Sequence, residues 1–485
     1  MVVGEISQER NLMIIGGGPG GYSAAIRGAQ LGLSVTLVEQ ADIGGVCLNE
    51  GCIPSKIITH AASKRSESAH LQELGIGGSD YPFDFQKLLA YKGRVINQLR
   101  SGVEHLCKEN KIEIIRGKAT FIAADKIGVE NGHQFDIYEF QQVIIATGST
   151  AVMSSDMKEK GERTLLPHEL FALEEVPEHL IVRGSDYIAL EAASSYAALG
   201  VKVSVVIDNK ASFPFDESIN KELGRLFKKR KIKVYKELQF ISTNETKDGI
   251  TMTFLTDKNV EETICGSHLF VSGTRIPNLE PLGISRFGID RTVGGFIKVD
   301  GNMQTSLPAI YAIGDVTEGP MLAIKAIKQG KAAVASIAGQ QTEVDLTFMP
   351  VVAQTIPPAV SVGLTEQSAR EFGLAVRTSQ FALGSNGYAT LSGKKDGFIK
   401  VISDATTEII QGIHMIGEGA IELSGSFVQL LEMAAREEDL KFPLYAHPGI
   451  IEGFLEAVEG LVGQAIHAAP VKRDVAVNHF QINTK

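Results

Sequence analysis

The string Gly16-Gly17-Gly18-Pro19-Gly20-Gly21 constrains this chain more than any other feature, because of what flanks it. Before it, Leu12-Met13-Ile14-Ile15 is a short apolar run of the kind a buried parallel strand shows. After it, Tyr22 to Leu31 is rich in alanine and reads as a helix, Gly32 ends that helix, and Ser34 to Glu39 reads as a second strand. The glycines fall at G-x-G-x-x-G on Gly16, Gly18 and Gly21. In such a βαβ unit the first glycine permits the tight turn, the second lets a pyrophosphate approach the backbone, and the third lets helix and strand pack closely. The helix N-terminus offers free N–H groups and a positive dipole end to the phosphates. Glu39, closing the second strand, is placed to accept both ribose hydroxyls. A doubly wound α/β domain that binds a dinucleotide is expected.

A second, altered copy of the same unit runs from Ile181 to Asp208. Both copies have a strand, a glycine turn, an alanine-rich helix, a Leu-Gly end (Leu31-Gly32 and Leu199-Gly200) and a second strand. The second turn reads Gly184-Ser185-Asp186-Tyr187-Ile188-Ala189, with Asp186 at the position where pyrophosphate must approach. A carboxylate there sets like charges together. At about 4 Å they repel by ~1 kcal/mol in water and ~4 kcal/mol near a protein surface, and the upper figure weakens binding nearly a thousandfold. Arg183, at a strand end that should be apolar, is expected to offset part of this by pairing with Asp186. The usual ribose-reading position is Ile207, and Asp208 follows one residue late. An acid there favours a free 2′-hydroxyl over a 2′-phosphate.

Just beyond the first unit comes Gly44-Gly45-Val46-Cys47-Leu48-Asn49-Glu50-Gly51-Cys52-Ile53-Pro54-Ser55-Lys56. Two cysteines so spaced are expected to lie within one helical turn, close enough to be bridged. A redox-active dithiol beside a flavin is the simplest reading. The chain has only four cysteines. A secreted disulfide scaffold would use more, so a reducing, cytoplasmic setting with one catalytic pair is expected, with Cys107 and Cys265 as ordinary thiols. The net charge of −10 argues against nucleic-acid or anionic-membrane partners. The basic run Lys228 to Lys231 reads as a solvated helix end. No apolar run reaches the roughly 18 residues a membrane span needs, Met1 to Arg10 lacks the apolar core of a signal peptide, and no metal site is expected.

Ile14 to Lys56 closely resembles the start of the pyridine nucleotide-disulfide oxidoreductases, the dihydrolipoyl dehydrogenases most of all. The resemblance covers almost the whole chain. Ala146-Thr147-Gly148 resembles the family's exit from the FAD domain, and Thr305 to Asp315, ending in Gly314-Asp315, its second FAD motif, whose Asp binds the ribityl chain. His447-Pro448 with Glu452 resembles the catalytic His-Pro…Glu. The resemblance implies an FAD domain (1–149 and 273–344), an NAD-binding-like domain (150–272), both Rossmann-like, and an α+β dimerisation domain (345–485). It implies that Cys52 faces the flavin and passes it electrons, that Cys47 exchanges with the substrate dithiol, and that Lys56 pairs with Glu191 beside the flavin. Thiol exchange needs a thiolate, and histidine is the natural base near neutral pH. His447 takes this role, oriented by Glu452, and the family supplies it from the second subunit of a homodimer.

The function so implied carries electrons from a lipoyl dithiol, on a carrier protein or a small molecule, to Cys47–Cys52, then FAD, then NAD. Gly16, Gly18, Gly21, Glu39, Lys56, Thr147, Gly148, Gly314 and Asp315 would hold FAD, and Gly184 and Asp208 would hold NAD. Several departures accompany Asp186. Ile324 stands where the family has His, Tyr388 where it has Arg, Gly449 where Thr follows His-Pro, and Thr355-Ile356-Pro357-Pro358 lacks an expected acid. The tail from Ala468 to Lys485 also departs. One alternative is a diverged flavoprotein that uses NAD poorly and serves another acceptor or a specialised lipoyl carrier. The other is a low-turnover subunit of a complex.

Overall fold

The computed structural model describes residues 7–77, 82–157, 160–208 and 211–469. The start of the N-terminal stretch, residues 1–6, and most of the C-terminal tail, residues 470–485, lie outside the described residues. Contacts divide the chain into two compact units, one of Met1–Pro214, Gly224–Met349 and Gln354–Ile356, the other of Phe215–Leu223, Pro350–Ala353 and Pro357–Lys485.

The first βαβ unit seeds a seven-stranded sheet in the first unit. Its first strand, Ser7–Ile15, is longer than the apolar run alone suggests, and its helix, Pro19–Gln30, begins three residues earlier than expected, with the proline in the first turn. A proline is tolerated there because its missing N–H would have no partner inside the helix. Ser7–Ile15 pairs in parallel with Val35–Glu39 on one side and Gln134–Ile145 on the other. Ile310–Ala312, from much further along the chain, adds to the free edge of Gln134–Ile145 and so carries the Gly314-Asp315 motif back to the first glycine turn's sheet. Alternation along the strand sends Leu12 and Ile14 to one core and Met13 and Ile15 to the other. Leu12 and Ile14 meet Ala24, Ala25, Ala333 and Val334 of the helices Pro19–Gln30 and Ala323–Ile337.

The altered copy forms a second seven-stranded sheet in the same unit, with His179–Arg183 between Lys202–Asp208 and His268–Val271, all parallel. Its helix is Tyr187–Ala198. The helix Cys52–Ser66, beyond the first copy, packs on Tyr187–Ala198 of the second, with Thr59 and Ser195 sharing a buried hydrogen bond of 2.8 Å. The other unit is built on a five-stranded antiparallel sheet in the order Val351–Ala353, Ala359–Gly363, Ile410–Ile416, Phe398–Asp404, Val376–Ala382, backed by the helices Ala420–Glu432 and Glu452–Gly460. The fold is thus α/β with two Rossmann-like sheets and an α+β portion.

Candidate active site

The cysteines do not share one helical turn. Cys47 lies in the short helix Gly45–Asn49, the chain breaks at Gly51, and Cys52 opens the helix Cys52–Ser66. The break is local: Gly44 and Gly45 both adopt positive φ, and Gly51 has φ −117° and ψ −96°, outside the helical region. The two thiols are free and hydrogen-bonded to each other. That bond, with help from Lys56, lowers the Cys52 thiol to about 7, while the same bond and burial push Cys47 up. Cys52 also sits at a helix N-terminus, which favours a thiolate. The pair is therefore asymmetric, with Cys52 carrying the charge and Cys47 the proton.

Asn49 and Arg100 hold the Cys47 helix, and sequence reasoning missed both. Asn49 Nδ2 donates to the carbonyls of Ile43 (3.1 Å) and Gly45 (2.9 Å), while its Oδ1 accepts from Arg100 Nε at 3.0 Å. Arg100 also pairs with Asp42 at 2.9 Å. Asn49 is visible inside the cysteine motif; Arg100, some fifty residues on in the helix Phe85–Glu109, carries no local signal.

One turn after Cys52, Lys56 Nζ lies 2.6 Å from Glu191 Oε2. Glu191 is 3% exposed and also accepts from Ser55 Oγ at 3.1 Å and from the Gln354 N–H at 2.8 Å. Every oxygen of this buried carboxylate is thus engaged, which a buried charge requires.

The first glycine turn fits a dinucleotide. Gly16 has φ +105°, and a Cβ on Gly21 would stand 1.8 Å from the Gly16 carbonyl oxygen. A Cβ on Gly18 would meet nothing within 4 Å, so the backbone there faces open space, and no side chain caps the helix it precedes. Glu39 accepts from the N–H groups of Gly17 (2.6 Å) and Ala41 (2.8 Å), one on each oxygen, which fixes the carboxylate beside the turn. Thr147 Oγ1 donates to the Asn278 carbonyl and Asn278 Nδ2 returns a bond to the Thr147 carbonyl, tying the outgoing and returning chains together next to Gly148, whose φ is +69°. Asp315 Oδ2 accepts from Ser149 Oγ at 2.6 Å, and Gln329 Oε1 accepts from the Gly314 N–H at 2.7 Å. Gln329 is another supporting residue that its sequence neighbourhood does not announce. These groups would hold FAD by its pyrophosphate, ribose and ribityl chain. When bound, FAD supplies a two-electron acceptor.

The second turn does not fit a dinucleotide in the same way. Asp186 is the N-cap of Tyr187–Ala198, with Oδ1 accepting from the Ala189 N–H at 2.9 Å. Burial raises its carboxyl pKa. The expected Arg183–Asp186 pair is replaced by a different one. Arg183, 5% exposed, points away to Asp156 (2.5 Å) and Asp208 (3.1 Å) and lies over the Phe240 ring at 4.2 Å. Asp156 lies in a connection with no periodic pattern, so nothing in the sequence marked it as a partner.

In the other unit, His447 Nδ1 lies 2.8 Å from Glu452 Oε1, and Glu452 Oε2 accepts from the Gly449 N–H at 2.8 Å. His447 is 81% exposed, so its second ring nitrogen is free to act outward. The His447–Pro448 bond is cis. Glu452 fixes the Gly449 N–H, and a Cβ at Gly449 would stand 2.9 Å from the Ala446 carbonyl oxygen. Among the remaining thiols, Cys107 is fully buried and raised by burial to about 11, while Cys265 is exposed. Lys228, Lys229 and Lys231 are exposed, at and beyond the end of the helix Glu217–Lys229. No described helix is long and apolar enough to cross a membrane.

A dithiol with one acidic sulfur, set beside a dinucleotide turn and a second dinucleotide-type sheet, defines a disulfide oxidoreductase. Residues 10–330 match the pyridine nucleotide-disulphide oxidoreductase family and residues 349–458 its dimerisation domain, and the chain belongs to that family. It is 36% identical to dihydrolipoyl dehydrogenase of Bacillus subtilis over 469 residues, 96% of this chain and 99% of the relative. It is 37% identical to that of Geobacillus stearothermophilus, again over 96% and 99% of the two chains. Among solved structures, LpdA from Mycobacterium tuberculosis superposes with a TM-score of 0.85 at 25% identity, covering 93% of this chain and 99% of the other. The HOCl-induced flavoprotein disulfide reductase RclA from Escherichia coli shares the fold, with a TM-score of 0.83 at 23% identity over 93% and 99%. The family's cofactors are FAD and a pyridine nucleotide.

Proposed function

We propose that this flavoprotein oxidises the dithiol of a lipoyl group. The observation that carries the proposal is the Cys47/Cys52 pair set beside an intact first dinucleotide turn, Cys52 opening a helix and held below the usual thiol range by Cys47 and Lys56. The relatives named as dihydrolipoyl dehydrogenases support the choice of dithiol.

In the oxidised enzyme a substrate thiolate attacks Cys47 Sγ, breaking the Cys47–Cys52 bond and releasing Cys52 as a thiolate. The second substrate thiol, deprotonated, attacks the sulfur now joined to Cys47, closing the substrate disulfide and expelling Cys47, which takes up a proton. The substrate loses two electrons and the enzyme disulfide gains them. Cys52 is the better leaving group because its thiolate is stabilised, and a low leaving-group pKa speeds exchange. His447, held by Glu452, takes the substrate proton, contributed by the second copy of a homodimer through the dimerisation domain. Lys56 and Glu191 set the charge beside the dithiol. The lipoyl group arrives on a carrier protein or as a small molecule, and the use of only four cysteines supports a cytoplasmic setting.

The test is steady-state oxidation of dihydrolipoamide with a dye that accepts electrons from the reduced flavin. The proposal expects turnover that Cys47→Ser abolishes while FAD stays bound. Turnover that survives Cys47→Ser would overturn it.

A further inference from the structure

The molecule holds two βαβ units of common plan whose glycine turns differ, among other positions, where a pyrophosphate must approach, with Gly18 in the first and Asp186 in the second. At Gly18 a Cβ would meet nothing within 4 Å, and the helix behind it has no side-chain cap. The N–H groups of that helix are therefore open to a phosphate. At the matching position in the second unit, Asp186 puts its own carboxylate on the helix N-terminus, accepting from Ala189 at 2.9 Å. The side chain takes the place a pyrophosphate oxygen would take, and it brings negative charge to the spot.

A separate observation concerns the ribose acid. Asp208 ends the second strand, one residue beyond Ile207, the usual ribose-reading position, and is the acid nearest to it. Both of its oxygens accept from Arg183 Nε, at 3.2 and 3.3 Å, and Arg183 is held in turn by Asp156 and the Phe240 ring. Arg183 is itself at a strand end, 5% exposed, so it is built into the sheet. The two groups of the second site that would grip a dinucleotide, helix N-terminus and ribose acid, are both satisfied from within the chain.

We infer that the second dinucleotide site is closed by the chain's own side chains, so that a pyridine dinucleotide is not an effective partner of this flavoprotein. The inference rests on the proposed dithiol chemistry only for the assignment of where electrons enter. It bears on where they leave, and it separates this chain from a working NAD-linked enzyme.

The experiment uses the FAD-loaded full chain and three forms, the natural protein, Asp186→Gly and Asp186→Asn. NADH binding is followed by its own fluorescence, and flavin reduction by anaerobic titration with NADH or dihydrolipoamide. Asp186→Gly opens the turn. Asp186→Asn keeps a capping side chain and removes the charge, so it serves if the glycine form does not fold. The inference expects NADH half-saturation in the natural protein at least about a hundredfold above that of Asp186→Gly and about tenfold above that of Asp186→Asn, within the nearly thousandfold range of a like-charge penalty. Natural protein that binds NADH within about threefold of Asp186→Gly, or of Asp186→Asn where only that form folds, overturns it. Failure of dihydrolipoamide to reduce the flavin of the natural protein would count against the dithiol reading instead, because that arm does not involve the second site.

Discussion

Replacing Cys47 separates two ways of stabilising the Cys52 thiolate. The ordinary thiol value of 9.0 falls to about 7 at Cys52, chiefly through the hydrogen bond from Cys47. Two pK units correspond to roughly 3 kcal/mol between the protonation states. A hydrogen bond to a charged group contributes roughly 1.5–3 kcal/mol, enough to account for most of that difference. Cys47→Ser and Cys47→Ala both leave Cys52 without a disulfide partner and FAD oxidised. Serine keeps an O–H donor at the site, and alanine does not. The long-wavelength band of a thiolate next to oxidised flavin reports Cys52 ionisation directly when followed against pH. The serine form is expected to titrate near 7 and the alanine form at least about one unit higher. At pH 7 this cuts the thiolate fraction from about one half to about a tenth. Two forms that titrate together would refute the reasoning, because the Cys47 donor would then contribute nothing.

Other perturbations read other parts of the site. Lys56→Met removes the cation that helps hold Cys52 down and strands the buried Glu191 carboxylate, so the Cys52 band in the Cys47→Ser background should shift to higher pH and the denaturation midpoint should fall. Because Lys56 is 29% exposed, the stability loss should lie below the ~3–5 kcal/mol typical of a fully buried pair. His447→Gln should lower kcat for dihydrolipoamide by about 10²–10⁴ with FAD content unchanged, and Glu452→Gln by less, as measured by dye-coupled turnover. Gly18→Ala should leave the apoprotein's denaturation midpoint unchanged yet reduce bound flavin, whereas Gly21→Ala should lower both, since its Cβ would strike the Gly16 carbonyl at 1.8 Å. His414 is fully buried, donates from Nε2 to the Leu364 carbonyl at 3.0 Å, and is pushed down by burial to about 4. Its folded value lies below the ordinary 6.5, so the unfolded chain binds the proton first, and stability should fall as pH drops from about 6.5 to 4. The loss is on the order of 3 kcal/mol, and His414→Gln should flatten the denaturation midpoint across that window.

What could be read from the sequence was what is local and periodic. Glycine spacing, the apolar runs around it and the acid closing the second strand define a βαβ unit within some twenty-five residues, and the sheet forms around that unit. Lys56 and Glu191 are 135 residues apart, and only the family resemblance pairs them; the structure sets them 2.6 Å apart. What escaped depends on geometry without a local signature. The break at Gly51 puts the cysteines on two helices, and five-residue spacing cannot distinguish that from one turn. Arg183 was expected to turn toward Asp186, its near neighbour in sequence. It turns instead to Asp156 and Asp208, where two half-exposed carboxylates and an aromatic face compensate a buried guanidinium, while Asp186 is already engaged with its own helix. The same holds for Lys400, 7% exposed and compensated by Asp216 at 2.9 Å and Glu366 at 2.7 Å, three residues from three segments of chain. Burial pushes the Asp216 carboxyl up, but bonds from Ser218 and the Glu366 N–H, with His414 and Lys400 nearby, outweigh it and hold it below the usual carboxylate range. Compensation of buried charge is a property of the folded arrangement and leaves no spacing rule behind.

The central claim is that a dithiol delivers electrons through Cys47 and Cys52 to a flavin in the first dinucleotide site. Anaerobic titration of the FAD-loaded protein with dihydrolipoamide tests it most directly. The account predicts that about one equivalent of dihydrolipoamide per flavin brings up the long-wavelength thiolate–flavin band, and that Cys47→Ser shows no change on the same addition. A natural protein whose flavin spectrum stays unchanged at excess dihydrolipoamide would contradict it.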